Sequence, residues 1–114
     1  MRIRYLEIVT SEVDALCRQY AAIYGITFSE PVATLGGART AELDDGGRIG
    51  IRGPLRETET PVVRPYVLVD DIEAAVKSAA EAGAEVAMPP MEIPEQGRFA
   101  IVLHGGIECG FWQE

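Results

Sequence analysis

At 114 residues, 47% of them hydrophobic, the chain has the size of one domain and enough apolar material for an ordinary core without disulfides or a structural metal. Its 18 acidic and 10 basic residues give a formal charge of −8, and no Lys/Arg cluster supplies the basic footprint that a nucleic-acid backbone requires, so nucleic acid is not an expected partner. No apolar run reaches the length of a membrane span, residues 1–5 (MRIRY) carry no signal-peptide pattern, and Cys17 and Cys109 are too isolated for a disulfide framework or a CxxC clip. A cytoplasmic protein with buried free thiols is expected.

Residues 2–10 (RIRYLEIVT) read as a strand, rich in β-branched residues. Ser11 and Asp14 then resemble a capping box, and a helix is predicted from Glu12 to about Tyr24. Its apolar residues Val13, Leu16, Cys17, Tyr20, Ile23 and Tyr24 recur at helical spacing, and Gly25 supplies the stop. Three short strands are predicted at 26–33, 38–44 and 48–53, divided by Gly36-Gly37 and by Asp44-Asp45-Gly46-Gly47. The first half, 1–53, thus reads β, α, β, β, β.

After a polar, proline-bounded linker at 54–62 the same order returns in 63–114. Strand 63–69 leads into Asp70 and Glu73, a second cap pair, and a helix that ends at Gly83. Ser11 and Asp70 are as far apart in the chain as Asp14 and Glu73, which marks a duplicated unit. Strand 84–88, the loop 89–97 with its three prolines, and strands 98–104 and 107–113 complete the second half; the loop is expected to act either as a lid or as a rigid crossover.

Period-two alternation assigns the faces. In the first strand Leu6 and Ile8 take the helix side while Tyr5, Glu7 and Val9 point the other way; in the fifth, Val67 and Val69 oppose Arg64, Tyr66 and Leu68. The expected architecture is α+β, with two tandem βαβββ modules curling into an incomplete eight-stranded barrel and a helix on the outside of each half. The unhelixed faces would enclose a cavity suited to a small molecule.

This layout resembles the vicinal oxygen chelate superfamily of glyoxalases, bleomycin-resistance proteins and extradiol dioxygenases over the whole chain. The local text agrees in Asp70-Asp71-Ile72-Glu73-Ala74-Ala75, Ala82-Gly83-Ala84-Glu85-Val86, Pro89-Pro90, Gly97-Arg98-Phe99-Ala100-Ile101-Val102 and Gly110-Phe111-Trp112-Gln113. It looks closest to small glyoxalase-like proteins of this group. The fold hosts lyases, isomerases, dioxygenases and non-catalytic drug-sequestering proteins, so it implies no single activity. Metal-binding members take His, Gln or Glu ligands from the first and last strands of each half, and the matching positions here are Tyr5, Gly50, Arg64 and Gly110. None is a usual ligand: arginine keeps its proton and repels a cation, and glycine has no side chain. A one-residue shift brings Cys109 to the last position and leaves the others unhelpful.

Several side chains are candidates for chemistry. Arg64 and Glu7 form either a salt bridge between the repeats or a ligand site, with Arg64 on a carboxylate or phosphate and Glu7 orienting it or serving as base. Tyr5 and Tyr66 are hydrogen-bond donors or core residues, and Trp112 is a cavity wall or a dimer anchor. Arg48 and Arg52 share the face of Gly50, as ligand contacts or as solvated edge charges. His104, the single histidine, is the natural acid–base candidate or simply a turn residue beside Gly105-Gly106.

The leading expectation is a cofactor-free protein that binds a small anionic or aromatic molecule through Tyr5, Glu7, Arg48, Arg64, Tyr66 and Trp112, with Glu7 and His104 as catalytic candidates. Metal is expected to be absent, with a divalent ion left open. Two alternatives stand beside it: a metal-dependent lyase, isomerase or oxygenase with displaced ligands such as Glu7, His104 or Glu108, and a partner-binding subunit without catalysis. A homodimer is the expected assembly.

Overall fold

The computed structural model describes residues 1–114 and is α+β, with seven strands and two α-helices. In chain order these are β1 (Ile3–Val9), α1 (Val13–Tyr24), a 3₁₀ turn (Ala33–Leu35), β2 (Arg39–Glu42), β3 (Arg48–Arg52), β4 (Val62–Leu68), α2 (Ile72–Glu81), β5 (Glu85–Ile93), β6 (Gly97–His104) and β7 (Ile107–Gln113). No helix is long and apolar enough to cross a membrane. Two compact units share these elements, one of Tyr5–Val63 and one of Arg64–Glu114 together with Met1–Arg4.

In the first unit the strand order is β2-β3-β1, with β1 parallel and β2 antiparallel to β3. Alternation sends Leu6, Ile8, Ile49, Ile51 and Ala41 to the side of α1, where they meet Val13, Leu16, Cys17 and Tyr20. Burying such side chains is the main stabilising term, about 1.5–3 kcal/mol for each large aliphatic residue. The helix starts without a side-chain cap at Glu12, although the Thr10 hydroxyl accepts from the Glu12 N–H at 3.1 Å, and it stops at Gly25 in the left-handed conformation.

The strand expected at 26–33 does not form. Pro31 has no N–H to give to a ladder, and only an isolated bridge joins Val32 to Ala38 before the 3₁₀ turn reverses the chain. Ile26 and Phe28 instead point into the cluster under α1. Seven strands therefore replace the expected eight, and the first module reads βαββ.

In the second unit the order is β4-β7-β6-β5, with β4 parallel to β7 and the other pairs antiparallel. Helix α2 packs on β5, β6 and β7 and buries Ile72 and Ala79. Asp71, rather than Asp70, is its N-cap and accepts from the Ala74 N–H at 3.1 Å. The Gln113 amide oxygen accepts from the Ile72 N–H at 2.7 Å and ties the helix start to β7. Residues Val13 and Ile72, which open the two helices, keep the repeat spacing of the expected caps.

The loop expected at 89–97 is also corrected. β5 runs on through Pro89 and Pro90 to Ile93, leaving a short turn with Glu95 at φ 70°, so this segment is strand and not lid. Pairing with β6 alone makes β5 an edge strand, and its register shifts between Val86 and Met88 and between Met88 and Met91 absorb residues that cannot donate to a ladder.

Candidate functional site

The unhelixed strand face of each unit carries the polar and aromatic residues singled out by alternation. In the first unit Tyr5 stands opposite Arg48, Glu7 opposite Gly50 and Val9 opposite Arg52. In the second, Tyr66 stands opposite Gly110 and Leu68 opposite Trp112. Expected side assignments for β1, β3 and β4 agree with this register.

Three charges meet in the first unit. The Arg52 Nε–H donates to a Glu7 carboxylate oxygen at 2.8 Å, and its two terminal nitrogens donate to the two Glu59 oxygens at 2.9 and 2.8 Å. Arg52 also donates to the Gly53 carbonyl at 3.1 Å, and Glu59 accepts from the Leu55 N–H at 2.7 Å. All three side chains are largely buried, with exposures of 7% for Arg52, 11% for Glu7 and 14% for Glu59. The hydrogen bonds that Arg52 donates to Glu59 and then to Glu7 hold it more firmly protonated than usual, against the opposing effect of burial. Arg52 is thus a structural clamp that orients Glu7 and pins the 54–62 segment, not the solvated edge charge of one reading above. Arg48, by contrast, makes a cross-strand pair with Glu42 at 2.7 Å near solvent.

Tyr5 lies across Gly50, where any Cβ would overlap its hydroxyl. Burial, and after it the Glu7 charge, push the Tyr5 hydroxyl well above the ordinary tyrosine range of about 10, with Arg48 and Arg52 pulling the other way. Tyr5 therefore keeps its proton at neutral pH. The raised value favours the folded state below pH ~10, and that contribution is lost as pH climbs toward the folded value. Of the four tyrosines, Tyr5 is expected to remain protonated at pH ~11 in a spectrophotometric titration until the chain unfolds. Four tyrosines ionising together near pH ~10 in folded protein would contradict this burial.

The second unit repeats the arrangement with different chemistry. Tyr66 lies over Gly110, and a Cβ there would run into its ring. The ring makes edge contacts with Trp112 at 5.8 Å and Phe99 at 6.4 Å between centroids. Arg64, 7% exposed, donates through Nε to Glu108 at 2.8 Å, has a second contact from a terminal nitrogen to the same carboxylate oxygen, and approaches the Tyr66 hydroxyl at 3.5 Å. Glu108 is far more open, at 38%. The guanidinium is therefore buried beside the Tyr66 hydroxyl, with its carboxylate partner at the solvent edge.

His104 is not part of this face. It ends β6 opposite Ile107, one step out of phase with the Leu103–Glu108 and Phe99–Trp112 pairs, and is exposed at the Gly105-Gly106 turn. The structure therefore separates it from Arg64, Tyr66 and Trp112. Cys109 shares the phase of His104, and burial raises its thiol above the ordinary value, as it does that of Cys17.

The donor set does not suit a divalent metal. Tyr5, Gly50, Arg64 and Gly110 bring a phenol, a cation and two glycines covered by tyrosine rings, and no three His, Cys, Asp or Glu side chains gather in a metal-binding group. Sequence reasoning named Arg64 and Tyr66 but assigned no role to Glu59 and mentioned Glu108 only as a displaced ligand. The Glu108–Arg64 pair joins residues remote in sequence, and the polar run 56–60 gives no sign of which carboxylate folds inward.

No family model matches this sequence. The mycobacterial protein CFP32 of Mycobacterium bovis and Mycobacterium tuberculosis, provisionally described as a glyoxylase, is 25% identical over 115 aligned residues. That match covers 96% of this chain but only 44% of the relative, so the chain spans less than half the length of the curated proteins it resembles. Among solved structures, a hypothetical protein from Bacillus halodurans superposes with a TM-score of 0.78 at 14% identity, covering 99% of this chain and 94% of the other. Methylmalonyl-CoA epimerase from Mycobacterium tuberculosis gives 0.72 at 17%, covering 97% and 86%. A variant of the Streptomyces coelicolor epimerase in complex with 2-nitronate-propionyl-CoA gives 0.69 at 19%, covering 100% and 97%. The chain is glyoxalase-like and has the fold of the vicinal oxygen chelate superfamily.

Proposed function

We propose that this chain binds a small organic acid or its thioester on the unhelixed face of its second unit, and that it does so without the divalent metal used by other proteins of the superfamily. The observation that carries this reading is Arg64, buried beside the Tyr66 hydroxyl yet held by the half-open carboxylate of Glu108. An incoming carboxylate or phosphate takes the place of Glu108 on the guanidinium, while Trp112 and Phe99 offer apolar surface to the rest of the ligand. The epimerase in complex with 2-nitronate-propionyl-CoA makes short acyl-CoA thioesters the first probes. Binding is favoured over turnover, because His104 lies on the opposite strand face and Glu7 is engaged by Arg52.

The test is a thermal-shift and calorimetric screen of short dicarboxylic acids and acyl-CoA thioesters on wild type, Arg64→Ala and Glu108→Gln. Wild type is expected to bind with Arg64→Ala weakened by 10-fold or more, the loss of about 1.5–3 kcal/mol carried by a charge-assisted hydrogen bond. Glu108→Gln, which removes the competing carboxylate, is expected to bind at least as tightly as wild type. Equal affinity in Arg64→Ala, with the fold intact, rejects the anchor. Elemental analysis followed by add-back of Fe, Mn, Ni, Zn and Co is expected to give no stoichiometric metal and no thermal stabilisation; a tightly held ion overturns the metal-free reading.

A further inference from the structure

The helix side of the first unit holds a cavity, on the other face of the strands from Tyr5 and Glu7. It has a volume of about 440 Å³ and lies where the end of α1 meets the β2–β3 turn, lined chiefly by Tyr20, Tyr24, Ile26, Leu43, Asp44 and Ile49. This is within the size range of small-molecule sites. Its floor is aliphatic, and its wall is a pair of tyrosine rings in edge contact at 5.4 Å.

The one ionised side chain in the lining of this cavity is that of Asp44. Asp44 and Asp45 open the same turn but differ in role: an Asp45 carboxylate oxygen accepts from the Gly47 N–H at 2.9 Å, whereas the Asp44 side chain has neither a hydrogen bond nor an ion pair. Helix α1 ends here as well, with its carbonyl end directed toward the cavity region and no basic residue in its last turn. Tyrosine rings add the negative face of their quadrupole. An aliphatic floor, aromatic walls and an uncompensated carboxylate recognise a cation that is itself partly apolar. A bare metal ion finds too few oxygen ligands, and an anion meets the uncompensated charge of Asp44.

We infer that this cavity is a binding site for an alkylated ammonium group, with the cation between Tyr24 and Asp44 and its methyl groups on Leu43 and Ile26. The site is independent of the Arg64 face and would stand if that proposal failed. Charge on one exposed carboxylate is screened by salt, so binding is weak and falls as ionic strength rises.

The experiment is an amide chemical-shift titration of the full chain with choline and, in parallel, with its uncharged carbon isostere 3,3-dimethylbutan-1-ol. Choline is expected to give saturable shifts at Gly25, Ile26, Leu43 and Asp44, and the neutral isostere to bind at least 5-fold more weakly, in line with the smaller measured worth of an exposed cation–π contact together with an ion pair. Asp44→Asn and Tyr24→Leu should each weaken choline several-fold, while Tyr24→Phe, which keeps the ring, should retain it. Both side chains are exposed, so the variants are expected to fold. No saturable shift with choline, equal affinity for the neutral isostere, or unchanged affinity in Asp44→Asn each overturns the assignment.

Discussion

Arg52→Ala is expected to lower the free energy of unfolding by about 3–5 kcal/mol at neutral pH, the cost of leaving buried charges without their partner. The alanine removes the Arg52 charge and its hydrogen bonds to both the Glu7 and the Glu59 carboxylates. Neither can relax readily into water, because Glu7 sits on a strand interior and Glu59 is tethered to the Leu55 N–H. An exposed pair of the kind made by Arg48 and Glu42 contributes only ~0–1 kcal/mol, so Arg48→Ala is the control. Urea unfolding of the two variants separates the cases. A loss below about 1 kcal/mol for Arg52→Ala would mean that water reaches the triad and that burial is not what gives it value. The combined replacement Glu7→Gln, Arg52→Met and Glu59→Gln should recover much of the loss, since exchanging an entire buried ion cluster for neutral groups is far less costly than orphaning its charges.

Gly110→Ala is expected to destabilise by about 3 kcal/mol, although adding one methyl group at an ordinary backbone conformation usually helps. Gly110 has no left-handed φ that would penalise alanine, and the smaller unfolded-state entropy alone would stabilise by about 0.4–1 kcal/mol. Overlap decides the sign. The added Cβ meets Cγ, Cδ2 and Cε2 of Tyr66, part of a rigid ring that is 4% exposed and confined by Trp112 and Phe99. Gly50→Ala meets Tyr5 chiefly at its hydroxyl end, which a modest ring movement displaces, so its cost should be smaller and partly relieved by Tyr5→Phe. Chemical denaturation of the single and paired variants measures the coupling. A stabilised Gly110→Ala protein would show that Tyr66 is not held over the glycine. The same geometry explains why a histidine or glutamate at either glycine would fail to restore a metal ligand: its first carbon already overlaps a tyrosine.

Local chemistry made much of the fold legible. Apolar spacing and Gly25 placed the first helix, the second starts at Asp71 one residue after the expected cap Asp70 and ends at Glu81, and side alternation put Tyr5 and Glu7, then Arg64 and Tyr66, on the unhelixed faces that the register displays. Where the reading went astray, two local rules competed. Residues 26–33 have strand-like composition, but Pro31 interrupts the ladder and Phe28 gains more by packing under α1. Residues 89–93 carry Pro89 and Pro90, which signal a loop, yet an edge strand with register shifts accepts them because only one side of its backbone is paired. Composition alone does not distinguish an edge position from a central one.

The candidate site divides in the same way. Sequence by itself determined the α+β class, the faces on which the aromatic and charged residues stand, and the residue types at Tyr5, Gly50, Arg64 and Gly110, since periodicity and residue chemistry are local properties. Only the tertiary structure decided that Glu59 folds inward onto Arg52, that Glu108 is the partner of Arg64, that tyrosine rings occupy the space above the two glycines, and that His104 stands out of phase with them. The Glu59 contact depends on how the loop after β3 folds back, and the others on register between residues distant in sequence. Charge, size and spacing along the chain carry no record of which partner will be nearest once the strands have paired.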